Sequence, residues 1–188
     1  MCPTLHLRIT PLPASRLLRQ RQHDLRAHVP HYADRSRTAK NSVLIAPPIP
    51  SSVLAEANVF RRYYGLHLLR AGSAVAYAAV IEFSPDAQAM LDQIDLIEQD
   101  RLIAAVASQI ASTAGTTVIG LVVHRDEAAL HAHLLLRGYD LRTGRAVRIS
   151  HKDTHRLQEL ASEVLPALLP HYQAELITGP DRPARVTD

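Results

Sequence analysis

The chain has 188 residues, 47% hydrophobic and 21% charged, with a formal net charge of +3, which suits one globular unit with a real core and excludes a fibrous or wholly disordered chain. One cysteine, Cys2, can close no internal disulfide and supplies at most one metal ligand, so any ion must be held mainly by imidazoles and carboxylates. No apolar run approaches a membrane span and "MCPTLHLRIT" lacks the layout of a secretory signal, so the reading is a cytoplasmic protein with no membrane segment.

"TLHLRIT" alternates, with Leu5, Leu7 and Ile9 on one face and His6, Arg8 and Thr10 on the other, and predicts a first strand. A short basic helix is expected from about Ser15 to Ala27, ended near Pro30. "DRSRTAKNSVLIAPPIPSS" reads as a basic loop with a short strand at Ser42 to Ile45. A helix capped by Ser51 or Ser52 and closed at Gly65 follows. Residues 1 to 70 hold eleven Lys/Arg against three Asp/Glu. That basic third could supply phosphate contacts to a nucleic acid, or be a solvated face with no partner.

"SAVAYAAVIEFS" predicts a second long strand, and Ser84, Pro85 and Asp86 look like a helix start. Leu96, Ile103, Val106, Ala107 and Ile110 recur at helical spacing up to a stop at Gly115. "TTVIGLVVH" and "LHAHLLLRG" then read as a β-hairpin, "DLRTGRAVRIS" as a turn at Thr143-Gly144 with a further strand, and "DTHRLQELASEVL" as a helix ending before Pro166. The fold class expected is α+β: a central, mostly antiparallel sheet with helices packed mainly on one face. Residues 1–178 are taken as one domain and 179–188 as a tail or the start of a linker.

The stretch "VVHRDEAALHAHLLLRG", residues 122–138, places His124, His131 and His133 in an otherwise apolar hairpin. Side chains two apart on a strand share a face, so His131 and His133 point the same way, about 7 Å apart. An even loop would bring His124 onto that face; an odd one would turn it away. Three converging imidazoles form a ligand set with open positions, and burial of three unpartnered imidazoles is otherwise hard to accommodate. Glu127 lies at the mouth of such a site as a candidate general base, and Asp126 could orient a ligand imidazole from behind. Ligand type alone favours zinc or another late transition metal.

The string "HRDEAALHAH" resembles the metal motif H-x-D-E-x-x-P-H-x-H of the Pre/Mob (MOBV) plasmid mobilisation relaxases, a branch of the HUH endonucleases, with Leu130 where proline is usual. "HDLR" at 23–26 stands where the family carries HNxR, with Asp24 in place of Asn, and "DRSRTAKN" at 34–41 follows as a basic stretch. "VIEFSPDAQAML" and the Leu157-Gln158 pair extend the resemblance over nearly the whole chain.

The resemblance implies an HUH relaxase-like fold, with His124, His131 and His133 binding manganese or magnesium, Glu127 as general base and His23 as nucleophile. It also implies a site- and strand-specific nick in single-stranded or hairpin-forming origin-of-transfer DNA, with auxiliary mobilisation proteins as further partners. The product would be a covalent 5′-phospho-histidine. Tyrosine serves as nucleophile in other HUH branches, so Tyr63, Tyr64 and Tyr32 are alternatives. Arg26, Arg35, Arg37, Lys40, Asn41, Arg61 and Arg62 are candidates for DNA contacts, Arg26 foremost. Two other readings stay open: a different metal-dependent nuclease or replication initiator, and an inactive DNA-binding remnant.

Overall fold

The computed structural model describes residues 4–70 and 72–178. Strands β1 (Leu5–Pro13), β2 (Ser42–Ile45), β3 (Ala74–Phe83), β4 (Val118–His124) and β5 (His131–Arg137) form one 5-stranded sheet in the order β1-β3-β5-β4-β2. Every neighbouring pair is antiparallel. The fold is therefore the expected α+β arrangement around an antiparallel sheet.

Strict alternation along the strands divides the residues between two faces. Leu5 and Leu7 of β1, Tyr77 to Phe83 at every second position of β3, Leu121 and Val123 of β4, and Ala132, Leu134 and Leu136 of β5 point into the main core. Helices α3 (Pro85–Leu91), α4 (Leu96–Thr113) and α5 (His151–Thr178) supply its other wall through Leu91, Leu102, Ile103, Val106, Ile110 and Leu157. On the opposite face, α1 (Ala14–Asp24) and α2 (Pro50–Tyr63) form a smaller core in which Leu17, Val53 and Ala57 meet Ala76, Leu135 and Tyr139. That second layer covers only part of its face.

Several boundaries differ from those the sequence predicts. Helix α1 stops at Asp24 instead of Ala27, because Arg26 adopts a left-handed backbone (φ 51). Helix α2 starts at Pro50 with no side-chain cap, and Ser52 donates to the Ile49 carbonyl instead. The run after Ser84 splits into two helices: Asp95 accepts from the Glu98 N–H and starts α4 afresh. Buried Gln99 donates to the carbonyls of Leu91 and Ile94, satisfying the end of α3. The strand expected beyond Thr143-Gly144 shrinks to one bridge, Tyr139 to Ala146.

Helix α5 runs on through Pro166 and Pro170 to Thr178. A proline removes one backbone donor, and a stripe already fixed by Leu157, Ala161 and Val164 carries the helix past that loss. The Gln158 side chain donates to the Leu5 carbonyl and accepts from the Leu7 N–H, which covers the free edge of β1. The expected tail, 179–188, lies outside the described residues. Among those residues, no helix is long and apolar enough to cross a membrane.

Candidate active site on the half-covered face of the sheet

Hairpin register decides whether the three histidines meet. His124 pairs directly with His131, and His133 with Val122, so the loop from Arg125 to Leu130 has the even length that keeps all three on one face. Ring centroids lie 5.2 Å apart for His124 and His131, 4.7 Å for His124 and His133, and 5.0 Å for His131 and His133. His23, one residue before the end of α1, brings a fourth ring 4.9 Å from His133 and 5.6 Å from His124.

The outer nitrogens are held and the inner ones are left free. His124 donates from Nε2 to the Asp24 carbonyl at 2.9 Å, which leaves its Nδ1 buried without a partner. Nδ1 of His133 lies 3.3 Å from the Asp24 carboxylate, and its Nε2 is likewise buried and unpartnered. His131 Nδ1 lies 3.1 Å from the Ala129 carbonyl, while Nε2 faces Glu127 Oε1 at 3.7 Å. Possible ligand atoms fall within 4.8 Å of one another in two overlapping sets, His23–His124–His133 and His124–Glu127–His131. Buried imidazole lone pairs with no donor to meet them are the arrangement that a divalent cation satisfies, so these residues fit a metal.

Electrostatics prepare the same state. Burial drives the pKa of His124 down to about 4 and, together with the neighbouring imidazoles, that of His133 to about 2. Both are neutral at physiological pH, as a ligand must be. His23 is also lowered, by burial and then by Arg26, a shift that disfavours its protonated form. Asp24 moves the other way: burial raises it to about 7 against the Gln20 hydrogen bond and the Arg26 charge.

Arg26 is turned inward. Its Nε and Nη2 donate to the two oxygens of Asp126 at 3.0 and 2.6 Å, Nη2 also donates to Glu127 at 2.6 Å, and the side chain is 5% exposed. These bonds hold the left-handed turn that ends α1 and lock that helix end, with His23, onto the hairpin loop. Asp126 is fully buried. Burial alone would raise it, but Arg26 and the other donors bring it down to about 2. Buried Arg125 pins the other side of the loop, to Asp100 at 2.7 Å and to Gln99, Ser42 and the Lys40 carbonyl.

An open groove runs over this cluster in two lobes that share Arg8, His23, Val80 and His133. One lobe, of about 650 Å³, is lined by Arg8, Arg16 and Arg19; the other, of about 510 Å³, by Tyr32, Glu127 and His131. A polyanion could enter over the arginines and reach the imidazoles.

A model of the relaxase nuclease domain, MobA/VirD2-like, matches residues 50–166, more than half of the chain. The chain belongs to this relaxase family. No curated protein matches it by sequence. Among solved structures, the MobM relaxase domain (MOBV; Mob_Pre) bound to plasmid pMV158 oriT DNA, a Mn-bound crystal structure, is similar with TM-score 0.74 at 14% identity, over 88% of this chain and 86% of that one. Another MobM complex, with a 23-nucleotide oriT DNA, gives TM-score 0.63 at 16% identity over 98% and 91% of the two chains. A structure described as the molecular basis of vancomycin resistance transfer in Staphylococcus aureus gives 0.54 at 13% identity over 89% and 93%. At these identities the likeness is one of fold, and it is the fold expected from the MOBV-like motif.

Within the relaxase domain, the expected site residues divide. His23, His124, His131, His133 and Glu127 come together. Among the described residues Asp126 makes no hydrogen bond to a ring of the cluster; it accepts from Arg26 and Thr38 instead. Arg26, expected on DNA, is buried against carboxylates, and Arg61 is bound to the carbonyls of His67 and Gly144. Asn41 accepts from the Arg125 N–H. Arg37 reaches the Glu127 carbonyl at 3.3 Å, whereas Arg35 and Lys40 are exposed on a 3₁₀ helix, Arg35–Lys40. Tyr63 and Tyr64 line neither lobe; Tyr32 does.

Asp24 and Gln20 were not singled out from sequence as parts of the site, and Arg8, Arg16 and Arg19 entered only as members of the basic N-terminal third. The alternation of β1 carried a signal for Arg8, since it puts that side chain opposite Leu5 and Leu7. The i, i+4 spacing of Gln20 and Asp24 carried one for that pair.

Proposed function

We propose that this relaxase domain makes a metal-dependent, strand-specific nick in plasmid origin DNA, with His23 as nucleophile and a 5′-phosphate left on its ring. What supports the reading above all is a partly exposed His23, its pKa lowered by burial, placed 4.9 Å from His133, at the junction of a basic lobe and an imidazole cluster with free inner nitrogens. The family match covers the hairpin histidines but begins at residue 50, so the role of His23 rests on this geometry and on the HDLR resemblance.

His124, His131 and His133, whose rings converge and which are divided between the two overlapping sets, would hold the cation, with Glu127 beside them. When bound, such an ion polarises a phosphate and offsets charge on its non-bridging oxygens. Manganese is the choice supported by the Mn-bound MobM structures. Arg8, Arg16 and Arg19 would hold neighbouring phosphates and align the strand. The lone pair of His23 then attacks phosphorus in line, an N–P bond forms, and the bond to the 3′ oxygen breaks. Glu127 takes the ring proton that the new phosphoamidate must lose and passes it to the departing 3′ oxygen, which leaves as a 3′ hydroxyl. Because the phosphorus stays bonded to protein, the 3′ hydroxyl can later re-form the strand.

Tyr32 supports a second reading, since it is the one candidate tyrosine that lines the groove with His23. Supercoiled plasmids carrying candidate origins, incubated with protein and manganese, should yield a nicked strand retarded until protease treatment. The adduct should be acid-labile, persist in Tyr32→Phe and be absent in His23→Ala. An acid-stable adduct retained by His23→Ala would transfer the role to tyrosine.

A further inference from the structure

Tyr63 and Tyr64 stand outside the groove, yet they are far from buried. Tyr63 is 79% exposed and Tyr64 40% exposed at the end of α2, their rings set edge to face with centroids 5.0 Å apart. The Tyr63 ring in particular gains little from the core and is open to solvent on most of its surface.

The end of α2 is bolted to the 140–145 turn. Arg61 Nη1 donates to the Gly144 carbonyl at 3.1 Å, and the Tyr64 hydroxyl donates to the Leu141 carbonyl at 3.4 Å. The backbones touch so closely that a Cβ on Gly144, which sits at φ +65, would meet the Phe60 carbonyl at 3.0 Å. Asp140 fixes the turn by accepting from the Arg142 N–H and the Thr143 hydroxyl. These contacts set the turn that carries exposed Arg142 and Arg145 against the helix end that carries exposed Arg62 and the tyrosine pair. The Arg142 guanidinium, 91% exposed, stands 3.6 Å from Asp140, a pairing that water screens. Among the described residues, Arg62 and Arg145 pair with no carboxylate.

We propose that this platform is a second DNA-contact surface, apart from the histidine groove, that holds single-stranded DNA flanking the cleaved segment. The inference rests on the relaxase reading above. Guanidinium groups at three positions match a phosphate backbone, and a protruding ring supplies a face on which a base of any identity can stack. A protein partner is less well matched, because three exposed guanidinium groups accompany only two rings.

Binding of a fluorescein-labelled 30-nucleotide oligo(dT) to the full chain, measured by anisotropy across a salt series, tests it. The triple variant Arg62→Ala, Arg142→Ala, Arg145→Ala is expected to bind at least about tenfold more weakly and to lose about 2 from the slope of log K against log salt. The corresponding triple lysine variant should restore both, which a merely structural role would not. Tyr63→Ala should cost about tenfold and Tyr63→Phe almost nothing, since stacking needs the ring and not the hydroxyl. Equal slopes and affinities for parent and triple alanine variant would overturn the proposal. It is separable from the nicking reading: a parent that forms no covalent adduct but shows the slope change retains this surface. A parent that forms the adduct without the slope change lacks it.

Discussion

Leu134 and His133 are neighbours on β5, and their surroundings differ in every respect. Leu134 points into the face closed by α3, α4 and α5, where it is 1% exposed in a cluster of hydrophobic side chains. His133 points into the face that α1 and α2 only partly cover, where a nitrogen is buried without a partner and three other imidazoles crowd it. The closed face holds the molecule together. The half-covered face spends stability to keep neutral ligands and an open groove in place.

The sharpest test of that division exchanges the two positions' expected phenotypes. His133→Ala should abolish the manganese-induced rise in melting temperature and reduce nicking by more than the roughly 10–100-fold typical of a group behind a ligand. Its metal-free stability should match the parent or exceed it, because an unsatisfied buried nitrogen is removed. Leu134→Ala should cost about 2–5 kcal/mol in urea unfolding and leave manganese affinity unchanged. Should His133→Ala bind manganese like the parent, the division between the faces fails.

Asp24 sharpens the comparison at one residue. Its backbone carbonyl holds His124, its carboxylate lies 3.3 Å from His133, and Gln20 holds the carboxylate at 2.7 Å. Asp24→Ala should weaken manganese binding about 10–100-fold by calorimetry, whereas Asp24→Asn, which keeps an acceptor oxygen, should retain most of it. Parent-like affinity in Asp24→Ala would mean that the hairpin orients its own rings.

The hairpin was legible because both of its signals are local: strand alternation gives His131 and His133 one face, and loop parity decides His124. The arginines were less so. Arg26 lies in the basic N-terminal third and was the foremost candidate for DNA, yet it meets Asp126 and Glu127 a hundred residues away and disappears into the protein. No local pattern records which cation finds a carboxylate. Helix ends were misjudged for the same reason: α1 stops where a long-range ion pair stabilises a left-handed residue, not at a proline or glycine. The split between α3 and α4 had a visible signal in the Asp95 to Glu98 spacing.

Acid should separate the faces by slope. His124 and His133 have folded pKa values near 4 and 2 against an ordinary 6.5, so below about pH 6.5 the unfolded chain takes up their protons first and stability falls with pH. Asp24 opposes this: its folded value of about 7 against 3.8 makes the folded chain the better proton binder between those limits, so its contribution is lost as pH rises. Between pH 4.5 and 6, two protons gained by unfolded histidines meet one held by folded Asp24. The metal-free domain should therefore lose about 1.4 kcal/mol per pH unit on acidification from these groups. Asp24→Asn removes the opposing proton, so its urea-derived stability should fall about twice as steeply over the same interval. Leu134→Ala should shift the line downward without tilting it, because the described members of the core cluster it packs in carry no carboxyl or imidazole. Parallel lines for parent and Asp24→Asn would show that Asp24 is ionised in the folded state, and that the half-covered face is wetter than its burial implies.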